Sequence, residues 1–257
     1  MYRLFIAPNQ IDLNTRTARI TGQDHMQLAR VLRARAGQAI NLLDWLGKAY
    51  DATLTNIEKR ESTARIEGRV EPPPEPPIFI HVAQALGKSD KFEQVIQHGT
   101  EAGASGFIPV QAERSVVEIP AARLIERAAR WQAIAKGAAE QSFRALVPAV
   151  LLPTKLADVA RMAEDARVPA LLLHTASPAV PLFAVLQQMD TPPRQVYLFV
   201  GPEGGWSVNE LELASEQSCR LVSLGSHVLR TETAALVAIS QLLYHFSRPQ
   251  EFISCVS

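Results

Sequence analysis

Over its first 70 residues, the chain alternates apolar and polar positions in short runs that end at turn residues, which predicts β-strands. Five runs have this pattern: YRLFIA, TARIT, QAINLLDW, AYDATLTNI and TARIEGRV. Between the second and the third, the segment DHMQLARVLR has the apolar spacing of a helix, which Asp24 is suited to cap. Short strands with one helix favour a small β-barrel for this part of the chain.

From residue 78 onward, near-continuous apolar runs alternate with segments of helical period. The predicted strands are IFIHVAQAL, GFIPVQ, ALLLH, VYLFV and RLVSL. The predicted helices are DKFEQVIQHGTEA, a long one over 121–141, one from Val208, and AALVAISQLLYHF. This alternation is typical of an α/β domain, whose mostly parallel sheet is covered by helices on both faces.

The two patterns meet at EPPPEPP, which has five prolines among residues 71–77. Such a run excludes helix and central strand, and it favours an extended, stiff spacer. A proline-rich surface loop within one domain is the alternative. We therefore expect a β-barrel domain over 1–71, a linker over 72–77 and an α/β domain over 78–257.

Composition and charge narrow the class of protein without identifying a partner. Apolar residues make up 47% of the chain and charged residues 20%, as in ordinary globular enzymes. Lys plus Arg and Asp plus Glu are 26 each, so a nucleic-acid partner would require basic residues gathered on one face. Cys219 and Cys255 lack metal-ligand spacing, and no apolar run is long enough for a signal peptide or a membrane span. We expect a soluble cytoplasmic protein without a metal.

Three consecutive predicted strands end in segments suited to ligand binding: LLLHTAS, FVGPEGGWS and SLGSHVLRTET. Ser207 and Glu210 have capping-box spacing, so a helix is expected to start there and GPEGGW to be a loop. Its glycines permit either a tight turn or a close approach of the backbone to a ligand. Neither dinucleotide-binding nor phosphate-loop spacing occurs, and backbone groups here suit an adenine edge and an amino-acid moiety, as in S-adenosyl-L-methionine.

The segment VLRTETAAL contains an arginine that helix capping leaves unexplained. Thr231 or Thr233 could cap the following helix, and Glu232 is favoured by the helix dipole. Arg230 is a cation where that dipole disfavours one. An acidic neighbour, such as Glu203 or Glu232, or an anionic ligand would explain it.

Taken together, GPEGGWSVNEL and LGSHVLRTETAAL resemble the signature of the ribosomal RNA small subunit methyltransferase E family, of the SPOUT (trefoil-knot) superfamily. The likeness continues upstream in residues 86–117 and 130–150, and residues 29–54 resemble the family's PUA-like RNA-binding domain. The chain departs from the family at three positions. The family often has glycine where Ser89 and Phe143 stand, and cysteine where Ser115 stands.

The resemblance implies a methyltransferase that modifies N3 of one uridine in 16S ribosomal RNA of the small subunit, with S-adenosyl-L-methionine as cofactor. It further implies a deep trefoil knot in the α/β domain and a homodimer whose active site uses both subunits. Arg230 is the predicted catalytic residue, with Glu203 or Glu232 orienting it or relaying a proton. The predicted cofactor contacts are Leu173, His174, Phe199, Val200, Gly201, Pro202, Glu203, Gly204, Gly205, Leu224, Gly225, Val228, Leu229, Thr231, Thr233 and Ala234.

Basic residues suited to RNA contact fall in two groups. The stretch from His25 to Leu43 has no acidic residue and contains Arg30, Arg33 and Arg35, although an ordinary solvated helix face would also explain it. The second predicted group, near the cleft, comprises Lys88, Lys91, Arg114 and Arg144.

Two other functions remain open from the sequence. One is a ribosome-assembly factor that has lost its cofactor, and the other is a methyltransferase of the same superfamily acting on another RNA. Of two histidines near strands, His81 is expected in the core, whereas His174 could contact the cofactor or merely pack.

Overall fold

The structure, a computed structural model, describes residues 1–87, 90–115, 119–189 and 191–247. The chain forms two compact units. The first consists of Met1–Glu75 together with Ala139–Val147, and the second consists of Pro76–Ala138 and Pro148–Ser257.

The first unit is a six-stranded sheet with two buried apolar clusters, the larger around Leu4 and Leu42 and the smaller around Phe5 and Leu43. Its strands are β1 (Tyr2–Ile6), β2 (Ile11–Asp12), β3 (Thr17–Thr21), β4 (Ala39–Asp44), β5 (Ala49–Ile57) and β6 (Glu61–Val70). Their order is β1-β4-β5-β6-β3-β2, in which only β1 and β4 run parallel. Leu4, Ile20, Leu42 and Leu54 are fully buried, as expected where one side of each strand faces a core. The five strands that were predicted for a small β-barrel are all present, whereas the two-residue β2 and the 3-10 helix Pro8–Gln10 were not predicted.

The predicted helical stretch of this unit begins earlier than expected, and a short 3-10 helix, Pro8–Gln10, precedes it. Helix α1 (Gly22–Met26) runs directly into a π-helical turn, Gln27–Val31. Asp24 was predicted as the cap, which is wrong, because the helix begins after Thr21 and Asp24 lies in its first turn.

A return of the chain completes the first unit. Glu140, which is 6% exposed, accepts hydrogen bonds from the backbone N–H of Phe5 (3.0 Å) and from Nε2 of Gln27 (3.2 Å). The Arg144 guanidinium forms an ion pair with Glu75, and both side chains are largely buried. The other Glu75 oxygen accepts from the backbone N–H groups of Ala145 (2.8 Å) and Leu146 (3.0 Å). These bonds fasten residues 139–147 to the N-terminal strands. The predicted division, with domains over 1–71 and 78–257, did not include this second segment in the first unit, and that division stays a prediction.

The second unit is a parallel sheet with helices on both faces. Its strands are β7 (Phe79–Ala85), β8 (Gly106–Gln111), β9 (Ala149–Val150), β10 (Thr154–Lys155), β11 (Ala170–Leu173), β12 (Val180–Pro181), β13 (Gln195–Val200) and β14 (Arg220–Ser223). Its helices are α2 (Lys91–Ala102), α3 (Ala121–Gln141, whose last turn belongs to the first unit), α4 (Leu156–Asp165), α5 (Leu182–Leu186), α6 (Val208–Glu216) and α7 (Thr231–Phe246).

Neighbouring residues of β8 show how both faces are covered. Ile108 packs in the cluster that α4 and α6 contribute to, while the next side chain, Phe107, faces α2 and α7. A Cβ added at Gly99 of α2 would lie 2.8 Å from the Phe107 ring, so only glycine permits this close approach. The predicted α/β class with a parallel sheet is therefore confirmed.

The strand order β10-β8-β7-β13-β11-β14-β12 puts three ligand-facing strand ends side by side, because β13, β11 and β14 are neighbours. Helices α4 and α5 and the short strands β9, β10 and β12 were not predicted. The trefoil knot stays a prediction. None of the helices among the described residues has the length and apolar character needed to cross a membrane.

The Glu75–Arg144 pair generates a stability prediction. Glu75→Ala removes a carboxylate that pairs with a guanidinium only 8% exposed, and it also removes the acceptor of two backbone N–H groups, so we expect the free energy of unfolding to fall by about 3 kcal/mol. Urea denaturation followed by circular dichroism measures this. The double change Glu75→Leu with Arg144→Met serves as control, and it should recover much of the loss. A Glu75→Ala protein as stable as the wild type would contradict the role of the pair.

Candidate functional site

A cleft of about 700 Å³ opens at the carboxyl ends of β11, β13 and β14, beside the start of α7. This volume falls in the usual range for small-molecule sites. Its lining combines apolar side chains, backbone groups and a few charged side chains. The lining residues are Lys91, Arg114, Leu173, His174, Thr175, Val200, Gly201, Pro202, Glu203, Gly204, Gly205, Trp206, Val222, Ser223, Leu224, Gly225, His227, Val228, Leu229, Arg230, Thr231 and Ala234.

In the glycine-rich loop after β13, one glycine forms a tight turn and another lets the backbone pack closely against a side chain. The Gly205 N–H donates to the Pro202 carbonyl (2.9 Å), and Gly205 has a φ of 68°, which glycine adopts without strain. Gly201 serves the other purpose, because an added Cβ would lie 3.1 Å from Nε1 of Trp206. That indole N–H donates to the Leu173 carbonyl (3.3 Å), which links the loop after β13 to the end of β11.

The predicted capping box closes this loop. Ser207 Oγ accepts from the Glu210 N–H (3.1 Å), and the Glu210 carboxylate accepts from the Ser207 N–H (2.8 Å). The other Glu210 oxygen accepts from the backbone N–H of Glu113 (3.0 Å), so this buried carboxylate also fixes the segment after β8. Helix α6 starts at Val208, as predicted.

Thr231 connects strand ends rather than capping a helix. Its hydroxyl donates to the Gly201 carbonyl (2.7 Å) and accepts from Nε2 of Gln84 at the end of β7 (2.7 Å). Helix α7 begins at Thr231 with Arg230 in the cap position and without a side-chain cap, so the capping interpretation of Thr231 and Thr233 is wrong. Gln84 was not foreseen, although an amide inside the apolar run IFIHVAQAL was the available signal.

The charged groups of the cleft are arranged around Lys91. Its Nζ lies 2.6 Å from Oε1 of Glu203 and 3.7 Å from Oε2 of Glu232. The hydrogen bond to Glu203 is the main cause that raises the pKa of Lys91 above its ordinary value. Glu232 Oε2 is buried and has no hydrogen-bond partner among the described residues. Lys91 was predicted to contact RNA, and the structure instead places its ammonium on two carboxylates.

Arg230 is exposed at the cleft wall, and its guanidinium makes no hydrogen bond or ion pair with the residues that the structure describes. The sequence suggested Glu203 or Glu232 as its acidic neighbour. Both carboxylates are turned to Lys91, so the Arg230 guanidinium faces the solvent of the cleft. At the glycine-rich loop, Arg114 Nη1 donates to the Gly204 carbonyl (3.0 Å).

Most of the predicted cofactor contacts line the cleft, with two exceptions. Phe199 is fully buried in the core of the sheet, and Thr233 lies exposed on α7 outside the lining. Glu232 also lies outside the lining. His174 lines the cleft, whereas His81 stacks on Tyr197 with ring centroids 5.0 Å apart, and burial lowers the pKa of His81. Sequence reasoning missed five lining residues: Thr175, Trp206, Val222, Ser223 and His227.

The predicted RNA contacts are found in different surroundings. Arg30, Arg33 and Arg35 are all exposed on the first unit. Arg144 belongs to that unit as well, and its burial against Glu75 does not support a contact with RNA. Lys88 lies outside the described residues. Within the described ranges, no group of three or more His, Cys, Asp or Glu side chains could hold a metal ion.

Two family models match the chain. The model described as an RNA methyltransferase domain matches residues 74–243, and the one described as an RNA methyltransferase PUA domain matches residues 28–67. The chain is 37% identical over 241 residues to a Synechocystis protein named ribosomal RNA small subunit methyltransferase E, covering 94% of this chain and 77% of that protein. The protein of the same name from Bacillus subtilis is 33% identical, with 89% and 90% covered.

Two solved structures are similar along nearly the whole chain. The ribosomal RNA small subunit methyltransferase E of Neisseria gonorrhoeae, bound to S-adenosyl methionine, superposes with a TM-score of 0.82 at 31% identity, covering 96% of this chain and 98% of that one. A methyltransferase of Legionella pneumophila in complex with the same cofactor has a TM-score of 0.86 at 30% identity, with 95% and 97% covered.

The Thr231 hydroxyl generates a prediction that does not depend on any ligand. Thr231→Val keeps the shape but leaves Gln84 Nε2 and the Gly201 carbonyl without this partner, so we expect unfolding free energy to fall by about 2 kcal/mol. The matched control is Thr233→Val, since Thr233 is exposed, and its effect should stay within about 0.5 kcal/mol. Urea denaturation compares the two, and equal losses would contradict the bridging role.

Proposed function

Because this chain belongs to the ribosomal RNA small subunit methyltransferase E family, we propose that it methylates N3 of one uridine in 16S ribosomal RNA, using S-adenosyl-L-methionine. One observation supports the site most directly. The two motifs GPEGGW and VLRTETA form adjacent walls of one cleft, and on the second wall Arg230 has no side-chain partner among the residues that the structure describes.

The residues present fit the cofactor. The cleft has room for a molecule of that size, and its apolar walls at Leu173, Leu224 and Leu229 suit an adenine ring. Close packing of Gly201 against Trp206 keeps backbone groups, rather than side chains, at the cleft surface. When bound, S-adenosyl-L-methionine supplies an electrophilic methyl group on a sulfonium.

Arg230 is the proposed catalytic residue. Removing the proton from uracil N3 leaves negative charge on the ring oxygens, and a guanidinium positioned beforehand stabilises it as it develops. Since Arg230 has no carboxylate partner among the described residues, its donors are available to the uracil. Methyl transfer otherwise depends on positioning, which rigid strand-end loops provide.

Glu203 is the better of the two candidate proton acceptors, because it lines the cleft and Glu232 does not. Lys91 holds the Glu203 carboxylate through the 2.6 Å contact, so we assign Lys91 to positioning rather than to RNA binding. Gly87 leaves room for this arrangement, since an added Cβ would lie 3.1 Å from the Glu203 carboxylate.

We also propose how the RNA is engaged. N3 is on the Watson–Crick edge, so the uridine must be unpaired or flipped out to react. Arg30, Arg33 and Arg35 are exposed and Arg114 lines the cleft, which suits them to phosphate contact. The proposal includes a homodimer with an active site shared between subunits, and action in the cytoplasm on the small ribosomal subunit. Exposed Val228 and Tyr244, at the cleft and on α7, are surfaces that a second subunit could cover.

The direct test combines the wild-type protein, labelled S-adenosyl-L-methionine and small ribosomal subunits from a strain lacking this gene. Mass mapping of nucleosides should find a single N3-methyluridine in 16S RNA. A protein that binds the subunit without methylating it would be an assembly factor, and a methyl group on another RNA would overturn the substrate assignment. Calorimetric titration with the cofactor separates loss of the cofactor site from loss of the RNA substrate.

Arg230→Met should lower turnover about 100-fold or more, because one preorganised donor to a developing oxyanion is removed. The cofactor dissociation constant should change by less than about threefold, since the effect falls on the transition state. Single-turnover methylation and calorimetry measure the two quantities. Arg220→Met, an exposed arginine outside the cleft, is the matched control. Wild-type turnover by Arg230→Met would remove the catalytic role.

Lys91→Met should lower turnover about tenfold, because Glu203 loses its positioning cation. The slope of RNA affinity against salt concentration should stay unchanged. Loss of a phosphate contact would instead reduce that slope by about one. Lys91→Arg, which keeps a cation, should retain most of the turnover. If turnover is unchanged and the slope of RNA affinity against salt is smaller, Lys91 binds RNA and does not position Glu203.

A further inference from the structure

Phe143 occupies a backbone conformation that is unfavourable for its side chain. Its φ is 59°, in the left-handed region that bulky residues avoid, and its side chain is 49% exposed. An apolar ring displayed in this way gains little burial to offset the unfavourable backbone. Backbone strain of this kind persists where the surrounding structure fixes it, and it concentrates at functional positions.

The surrounding structure does fix it. On one side, Glu140 is held by Phe5 and Gln27, and on the other, Glu75 binds the Arg144 guanidinium and the Ala145 N–H. The turn around Phe143 is therefore clamped at both ends. The clamp presents the ring in one fixed place, and a ring positioned in advance binds with a smaller entropy cost.

The Arg3 cation lies against this ring, and it has no counter-ion within the described ranges of the chain. The Arg3 guanidinium is 4.8 Å from the Phe143 ring centroid, and its Nη1 donates to the carbonyls of Phe143 (2.5 Å) and Arg144 (3.3 Å). Arg3 Nε is buried without a hydrogen-bond partner, and Arg3 forms no ion pair with any described carboxylate. Arg144, its basic neighbour, is neutralised by Glu75.

We infer that Phe143 and Arg3 form a nucleotide-binding site, at which an unpaired base of the RNA stacks on the Phe143 ring and Arg3 binds its phosphate. Unpaired bases in RNA complexes stack on aromatic side chains and on guanidinium planes, and a nucleotide carries an anion that could pair with the Arg3 guanidinium. An apolar protein partner would leave that cation uncompensated. The site rests on the proposed function for its ligand class, and its residues belong to the first unit, whereas those of the cleft belong to the second.

The test uses the full-length protein and a short fluorescein-labelled single-stranded oligouridine as probe, with binding followed by fluorescence anisotropy. Phe143→Gly should weaken binding about tenfold or more, the usual effect of removing one stacked base contact. The same change should leave the melting temperature unchanged or raise it, because glycine adopts a positive φ freely. RNA affinity thus falls while stability does not, which a merely structural role would not produce.

Two further variants at this position separate stacking from general apolar contact. Phe143→Tyr keeps an aromatic face and should bind the oligouridine within about twofold of wild type. Phe143→Leu keeps apolar volume without that face and should bind as weakly as Phe143→Gly. Wild-type affinity in either Phe143→Leu or Phe143→Gly would overturn the site.

Controls at other positions complete the design. Ser218→Gly relieves a positive φ of 61° in the second unit and should leave RNA binding unchanged. Arg3→Gln should lower the slope of affinity against salt by about one, as expected for a lost phosphate contact, and an unchanged slope would remove the phosphate from the proposal. If wild-type protein methylates ribosomal RNA while Phe143→Gly binds normally, this inference fails and the proposed function stands. If the wild-type protein does not methylate ribosomal RNA, the proposed function is contradicted instead.

Discussion

The hydroxyl of Thr231 is the contact on which the cleft depends. By bonding to Gln84 and to the Gly201 carbonyl, it joins the end of β7, the loop after β13 and the first residue of α7. Gln84 and Thr231 are buried, so the bond between them is worth more than it would be on the surface. A cleft made of loops keeps its shape because these polar bonds, rather than side-chain volume, connect the loops.

This arrangement also decides how charge is distributed around the cleft. With Thr231 tied to Gly201, Arg230 is left in the cap position of α7 and Glu232 in its first turn. Glu203 and Glu232 then converge on Lys91, which satisfies much of their charge within the protein. Arg230 is consequently left without a partner among the described residues. The same fold that holds two acids in place therefore presents one cation to a ligand.

Most strands and helices, and those parts of the site that depend on neighbouring residues, could be predicted from local sequence. The strands around VYLFV, the capping box at Ser207 and the glycine loop depend on neighbouring residues, and the structure has them as predicted. The Gln84–Thr231 bond joins residues 147 positions apart, and the pairing of Lys91 with Glu203 spans 112, so no local pattern indicates either. Thr231 was misread for that reason, since a threonine before a helix is locally indistinguishable from a cap. Likewise, Arg144 looked like a surface cation until the partner Glu75 was known.

The buried Glu75–Arg144 ion pair holds residues 139–147 in a defined orientation within the first unit. Burying the charges of Glu75 and Arg144 costs desolvation energy. Hydrophobic side chains at these two positions would stabilise the attachment of residues 139–147 equally well. What the charged pair adds is orientation, because the Glu75 carboxylate fixes a guanidinium and two backbone N–H groups together. That fixed geometry is what allows Phe143 to remain in a left-handed conformation that its own side chain disfavours. The hydrogen bonds and the ion pair on either side of Phe143 thus stabilise a backbone conformation that this residue would leave in a flexible loop.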